Sequence, residues 1–134
     1  MNDKGKHKMN KKVIKTQKAP KAIGPYSQAL QADNRLYISG QLGINPATGK
    51  LAEGSTAQQA KQVLENIKAI LEEAGFELRD VVQVQVLLAD IQDFGSVNEV
   101  YKQFFAEPYP ARAAFEVAAL PAGGKIEILA IAEK

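Results

Sequence analysis

The stretch PARAAFEVAALPAGGKIEILAIA, Pro110 to Ala132, carries two charged residues, Arg112 and Glu127, inside otherwise apolar runs of β character. Alternate residues of a strand share a face, so Arg112 lies with Ala114, Glu116 and Ala118, and Glu127 lies with Leu129 and Ile131. A lone charge in such company is costly to bury without a partner. The loop Ala119 to Lys125, with Pro121, Gly123 and Gly124, turns the chain back, so the two strands run in opposite directions. Arg112 then sits far from the loop and Glu127 near it. An offset of roughly five residues at about 3.3 Å each separates them by about 17 Å along the sheet. One small substrate cannot touch both within one chain. Either the charges serve separate purposes, or a site is assembled between subunits, with Arg112 from one and Glu127 from its neighbour. The simpler alternative is an Arg112–Glu116 ion pair and a Glu127 satisfied at an interface.

Outward from this stretch, the 134 residues allow a single domain with a sufficient core. The absence of cysteine excludes disulfides and thiolate metal sites. No run approaches a membrane span and no signal-peptide core is present, so a cytoplasmic protein without membrane contact is expected. The formal charge of +2 is unevenly placed. Residues 1–12 hold five lysines against Asp3, which leaves residues 13–134 two charges negative. The folded part therefore lacks the basic face of a nucleic-acid binder, and no nucleic-acid partner is expected. Residues 1–12 read as a disordered basic tail and 13–134 as the domain. His7, the sole histidine, falls in the tail and reads as solvated rather than as a metal ligand.

Along the domain, Val13 to Thr16 reads as a short strand. Tyr26 to Ala32 and Leu36 to Gln41 form a hairpin around Asp33-Asn34, with Ser39-Gly40 at its end. A glycine there marks either a bulge or a close approach to a ligand. GINPATGK, Gly43 to Lys50, superficially resembles a phosphate-binding loop. Five residues separate its glycines where that motif has four, and Leu51 replaces the hydroxyl residue, so it is turn chemistry only. Ser55 to Ala74 is the clearest helix, with a stripe through Ala57, Ala60, Val63, Leu64, Ile67, Ile70, Leu71 and Ala74, a Ser55/Gln58 capping box and Gly75 as its stop. Val81 to Leu88 reads as a strand with Val82, Val84, Val86 and Leu88 towards the helices and Gln83 and Gln85 on a second surface. A Ser96/Glu99 capping box starts a second helix over 97–105, with Asn98 in its first turn near free N–H groups.

The order of strands and helices predicts an α+β domain, a mixed β-sheet with two helices packed on one face. Its other face, with Leu129 and Ile131, is left partly apolar and should associate. No metal-ligand spacing, nucleotide fingerprint or structured histidine is present. Arg112 supplies a planar fork suited to a carboxylate, and Glu127 a carboxylate in apolar company, with hydroxyl and amide groups at Tyr26, Ser39 and Asn98. These suit a small acid hydrolysed by an activated water.

Pro110-Ala111-Arg112, Glu116 to Pro121 and Ile126-Glu127-Ile128, with Ile23 to Gln28, Ser39-Gly40-Gln41, Asn45-Pro46, Thr48-Gly49 and Val97-Asn98 upstream, resemble the signature of the YjgF/RidA family, the reactive intermediate deaminases. The resemblance runs from about Val13 to the end of the chain. It implies a chorismate-mutase-like fold, a homotrimer with sites in the clefts between subunits, and no cofactor. It also implies hydrolysis of 2-imino acids, 2-iminobutanoate and 2-iminopropanoate, to 2-keto acids and ammonia. On that resemblance Arg112 clamps the substrate carboxylate and Glu127 activates the attacking water, its pKa raised by burial. Tyr26, Ser39, Gly40 and Asn98 line the pocket. Many relatives carry a cysteine at the position of Ala114, where only a backbone contact can persist here, and a second glutamate at the position of Leu129. Two alternatives remain at this point: an endoribonuclease or translation inhibitor, the other activity attributed to the family, and a non-catalytic module that binds a keto acid.

Overall fold

In the computed structural model, which describes residues 10–134, eight strands and two α-helices follow the order β1 (Lys11–Ile14), β2 (Ala29–Ala32), β3 (Arg35–Leu42), β4 (Ile44–Asn45), β5 (Lys50–Leu51), α1 (Thr56–Glu73), β6 (Val81–Leu88), α2 (Phe94–Phe104), β7 (Ala111–Glu116) and β8 (Ile126–Glu133). Six strands make one sheet in the order β1-β2-β3-β8-β6-β7, and β4 and β5 make a separate small hairpin. β6 and β7 are parallel while every other pair in the large sheet is antiparallel, so the sheet is mixed as expected.

α1 forms where the sequence placed it. Ser55 caps it through a capping box with Gln58, and Gly75 follows with φ 80°. Val63, Leu64, Ile67, Ile70 and Leu71 of its stripe are wholly buried against Leu36, Val84, Val86, Ile128 and Ala132 of the sheet. Burial at about 1.5–3 kcal/mol per large aliphatic side chain outweighs the weaker helix propensity of its β-branched positions. α2 packs beside α1 on the same sheet face. No helix among the described residues is long and apolar enough to cross a membrane.

Several local expectations are corrected. β1 begins at Lys11, where Lys11 and Lys12 pair with Ala32 and Gln31, so the predicted tail gives way to strand two residues before Val13. Residues 1–9, including His7, lie outside the described residues. Tyr26 to Gln28 do not join β2, because the Gln28 side chain bonds the Thr16 N–H and the carbonyls of Thr16, Ala19 and Pro20 and holds an irregular path. Val82 is 44% exposed rather than turned to the helices; a register shift between Val81 and Gln83 buries Val81 in its place. α2 starts at Phe94, after a 3-10 turn over Ile91–Asp93, three residues before the expected start. The Ser96/Glu99 capping box is absent: the Ser96 hydroxyl donates to the Asp93 carbonyl, and Glu99 pairs with Lys102. The four residues Pro46 to Gly49 close the β4–β5 hairpin, with the Asn45 side chain accepting from the Ala47 N–H, as turn chemistry predicts.

Among the described residues, nothing covers the face of the large sheet away from the helices. It presents Val13, Tyr37 and Phe115, each substantially exposed, with half-buried Leu129 and Ile131 and the amides of Gln83 and Gln85 between them. The expected second surface for the two glutamines is thus present.

Candidate active site

Register decides which way Arg112 and Glu127 point. Residues paired across neighbouring strands share a face. Arg112 pairs with Val84, a buried core residue, so its side chain leaves the sheet on the helix side. Glu127 pairs with Leu87 on β6 and Leu42 on β3, which puts it on the uncovered side. Val84 and Leu87 are three residues apart, and β6 stands between β7 and β8. Three residues along by two strand spacings across is roughly 14 Å between backbones. Along the strands alone the offset is about 10 Å, against the 17 Å expected, because Ile126 and Glu116 both pair with Leu88 and so stand level across β6. The opposite faces, which the sequence argument did not foresee, separate the two charges more decisively than distance.

On the helix side, an Arg112 Nη1 donates to Asn98 Oδ1 at 2.8 Å. The Arg112 guanidinium carbon lies 5.0 Å from the ring centre of Phe94 and 4.7 Å from that of Tyr101. Asn98 is the fifth residue of α2, not a first-turn residue, and its amide serves the arginine rather than free helix N–H groups. The expected alternative of an Arg112–Glu116 pair does not form; Glu116 accepts from the Ile91 N–H at 3.0 Å. No carboxylate among the described residues pairs with Arg112. The guanidinium borders an open recess of about 570 Å³ with Gly95, Asn98, Tyr101, Tyr109 and Pro110. Ala114, two residues along β7, shares the Arg112 face and packs against the core.

On the uncovered side, Glu127 stands against Gly40. A Cβ on Gly40 would overlap the Glu127 carboxylate, lying 2.9 Å from its Cδ and 3.2 Å from its Cγ, so the glycine is what admits this side chain. The β3–β8 register shifts between Ile38 and Gln41, so Ser39-Gly40 sits at a bulge and at a close approach together. The Ser39 hydroxyl donates to the Ser27 carbonyl at 2.5 Å and its N–H to the Gln28 carbonyl at 3.0 Å, fastening the irregular segment that carries Tyr26 beside the bulge. Tyr26 is 53% exposed. Burial pushes the Glu127 carboxyl above the ordinary carboxylate range. No hydrogen bond or ion pair joins its carboxylate to another described residue.

The residues expected at one site thus divide into Arg112, Asn98 and Ala114 on one side and Glu127, Gly40, Ser39 and Tyr26 on the other. Phe94 and Tyr101 were not anticipated. Their signal was their spacing, four before and three after Asn98, which places all three on one stripe of a helix.

A profile described as endoribonuclease L-PSP matches residues 16–134. Among curated relatives, the 2-iminobutanoate/2-iminopropanoate deaminase of Bos taurus is 59% identical over 91% of this chain and 89% of its own. The protein of that name from Homo sapiens is 56% identical over the same shares. Among solved structures, RidA from an Antarctic Psychrobacter superposes with a TM-score of 0.89 at 54% identity, over 92% of this chain and 99% of that one. Escherichia coli TdcF, solved with bound serine, superposes at 0.87 with 44% identity, over 92% of this chain and 98% of that one.

Proposed function

Because the chain belongs to the endoribonuclease L-PSP family, the YjgF/RidA family of the sequence signature, we propose that it is a hydrolytic deaminase of 2-imino acids, 2-iminobutanoate and 2-iminopropanoate, whose site forms between subunits of a homotrimer of chorismate-mutase-like fold. The observation that carries this reading is the pairing of two incomplete half-sites. Among the described residues Arg112 is a cation without a carboxylate partner and Glu127 a carboxylate without a hydrogen-bond or ionic partner, on opposite faces of one sheet. A single chain cannot close them around a small molecule. The uncovered apolar face, with Phe115 half exposed, is the surface over which copies would pack and bring the halves together.

In that arrangement Arg112 of one subunit holds the substrate carboxylate in two parallel hydrogen bonds, using donors left free by Asn98. Glu127 of the neighbour accepts a proton from water as its oxygen bonds to the imine carbon. Starting from the protonated imine, the carbinolamine so formed takes that proton from Glu127 on nitrogen, the C–N bond breaks with its electron pair leaving on ammonia, and the carbinol hydroxyl becomes the keto carbonyl as its proton passes to the ammonia, which departs as ammonium. Glu127 is returned as carboxylate. A raised carboxyl pKa suits both halves of this transfer. Tyr26, Ser39 and Gly40 shape the water side, and Asn98 and the Ala114 backbone the carboxylate side. No observation favours RNA cleavage: residues 13–134 carry net negative charge, and His7 lies outside the described residues.

The activity is tested by letting a threonine dehydratase release the imine in the presence of semicarbazide. Suppression of semicarbazone formation supports the reading, and its absence with a folded oligomer removes it. Gly40→Ala sharpens the assignment. The added methyl meets a movable side chain and not backbone, so the fold is expected to survive while the Glu127 carboxylate is displaced. A displacement of about 1 Å is expected to cost roughly a hundredfold in turnover, read in the same assay beside an unchanged circular dichroism spectrum.

A further inference from the structure

We propose that Phe94 and Tyr101 are positioning residues for Arg112, two aromatic rings that, with Asn98, fix the plane of its guanidinium for a carboxylate ligand. The proposal rests on the reading of Arg112 as the substrate clamp. Arg112 lies on β7, an edge strand whose residues are largely exposed, and no ionic partner among the described residues orders it. A long, freely rotating side chain makes a poor clamp, because the fork must be held in one plane before it can meet two carboxylate oxygens at once.

α2 supplies what the strand does not. Its positions 94, 98 and 101 form one stripe, and all three touch the guanidinium: two rings at 5.0 and 4.7 Å and an amide oxygen at 2.8 Å. The Tyr101 ring is itself held from behind by Phe105, at 4.6 Å between centres and 36° between planes. Tyr101 is 5% exposed, and its hydroxyl is a buried side-chain polar atom with no hydrogen-bond partner among the described residues. Packing and the cation therefore keep the ring in place, not a hydrogen bond. Burial raises the phenol pKa and the Arg112 charge opposes it, with burial prevailing. The ring consequently faces the arginine as a neutral π system and not as a phenolate counter-ion that would compete with substrate.

The test uses the full chain and three variants, Phe94→Leu, Tyr101→Leu and Tyr101→Phe, each checked for its oligomeric state and melting temperature. Both leucine variants are expected to raise KM for the imine, and Kd for the keto-acid product, by about tenfold, with kcat little changed. Tyr101→Phe keeps the ring and is expected to bind as the parent does and to melt no lower, since it removes a stranded hydroxyl. Unchanged KM and Kd in both leucine variants would overturn the proposal, and so would a Tyr101→Phe variant as impaired as Tyr101→Leu, which would move the role to the hydroxyl. Should Tyr101→Leu fail to fold, Phe94→Leu, at a partly buried site, decides alone. Arg112→Ala in the same series separates the two failures: if it binds keto acid normally, the clamp reading falls; if it does not but the leucine variants do, only the positioning role falls.

Discussion

Replacing Arg112 with alanine is expected to lower kcat/KM for imine hydrolysis by roughly 10²–10³-fold, the scale for losing a desolvated, hydrogen-bonded charge contact, while leaving assembly intact. The expectation follows from the surroundings of the side chain. No other described residue bordering the recess offers a comparable fork: Lys102 lies there but is paired with Glu99 at 3.2 Å. The fold should tolerate the change, because Arg112 is exposed and its neighbours Phe94 and Tyr101 retain their packing on α2 and Phe105. Steady-state kinetics with size-exclusion chromatography check both halves. Near-normal turnover in an intact oligomer would show that the carboxylate is held elsewhere.

The second large effect belongs to Glu127→Gln, which keeps shape and removes the base. A loss of about 10²–10⁴-fold in kcat is expected for general acid–base work, with keto-acid binding retained. Two pH signatures accompany it. In the parent enzyme the base works ionised, so kcat/KM should fall as pH drops through a carboxyl pKa above the ordinary range, and this limb should vanish in the variant. Stability moves the other way. A folded-state pKa raised above the unfolded value contributes stability that is present below the unfolded pKa and lost as pH rises through the folded one. At neutral pH the parent therefore carries the cost of a poorly solvated charge. Glu127→Gln should melt higher there, with the difference closing in acid. A variant that is slow yet no more stable at neutral pH would place the burial of Glu127 in doubt.

The sequence made parts of this molecule easy to read for definite reasons. α1 announces itself by a long 3.6-residue stripe, a capping box and a glycine stop, three signals that agree. β6 is legible by alternation, although the register shift at Val82 is not, since a bulge depends on the partner strand. The start of α2 was misplaced because Ser96 and Glu99 imitate a capping box, whereas the observed start follows a 3-10 turn in which the Asp90 side chain accepts from the Gln92 N–H. For the site, Arg112 and Glu127 stood out as charges in apolar strands, and their separation followed from chain direction alone. That they leave the sheet on opposite faces was hidden, because it depends on β6 lying between them and on both registers. Gly40 against Glu127 was hidden for the same reason: a contact across strands far apart in sequence leaves no local pattern.

No single chain holds a complete site in this arrangement, and mixing two inactive variants tests that directly. Arg112→Ala and Glu127→Gln would be unfolded together in equal amounts, refolded, and assayed for imine hydrolysis beside each refolded alone. If Arg112 and Glu127 come from different subunits, random assembly makes about one site in four from two unaltered half-sites, and the mixture should recover about a quarter of the parent's activity. If both belong to one chain, no mixture can contain an intact site, and a refolded, fully assembled mixture as inactive as its components would contradict the account.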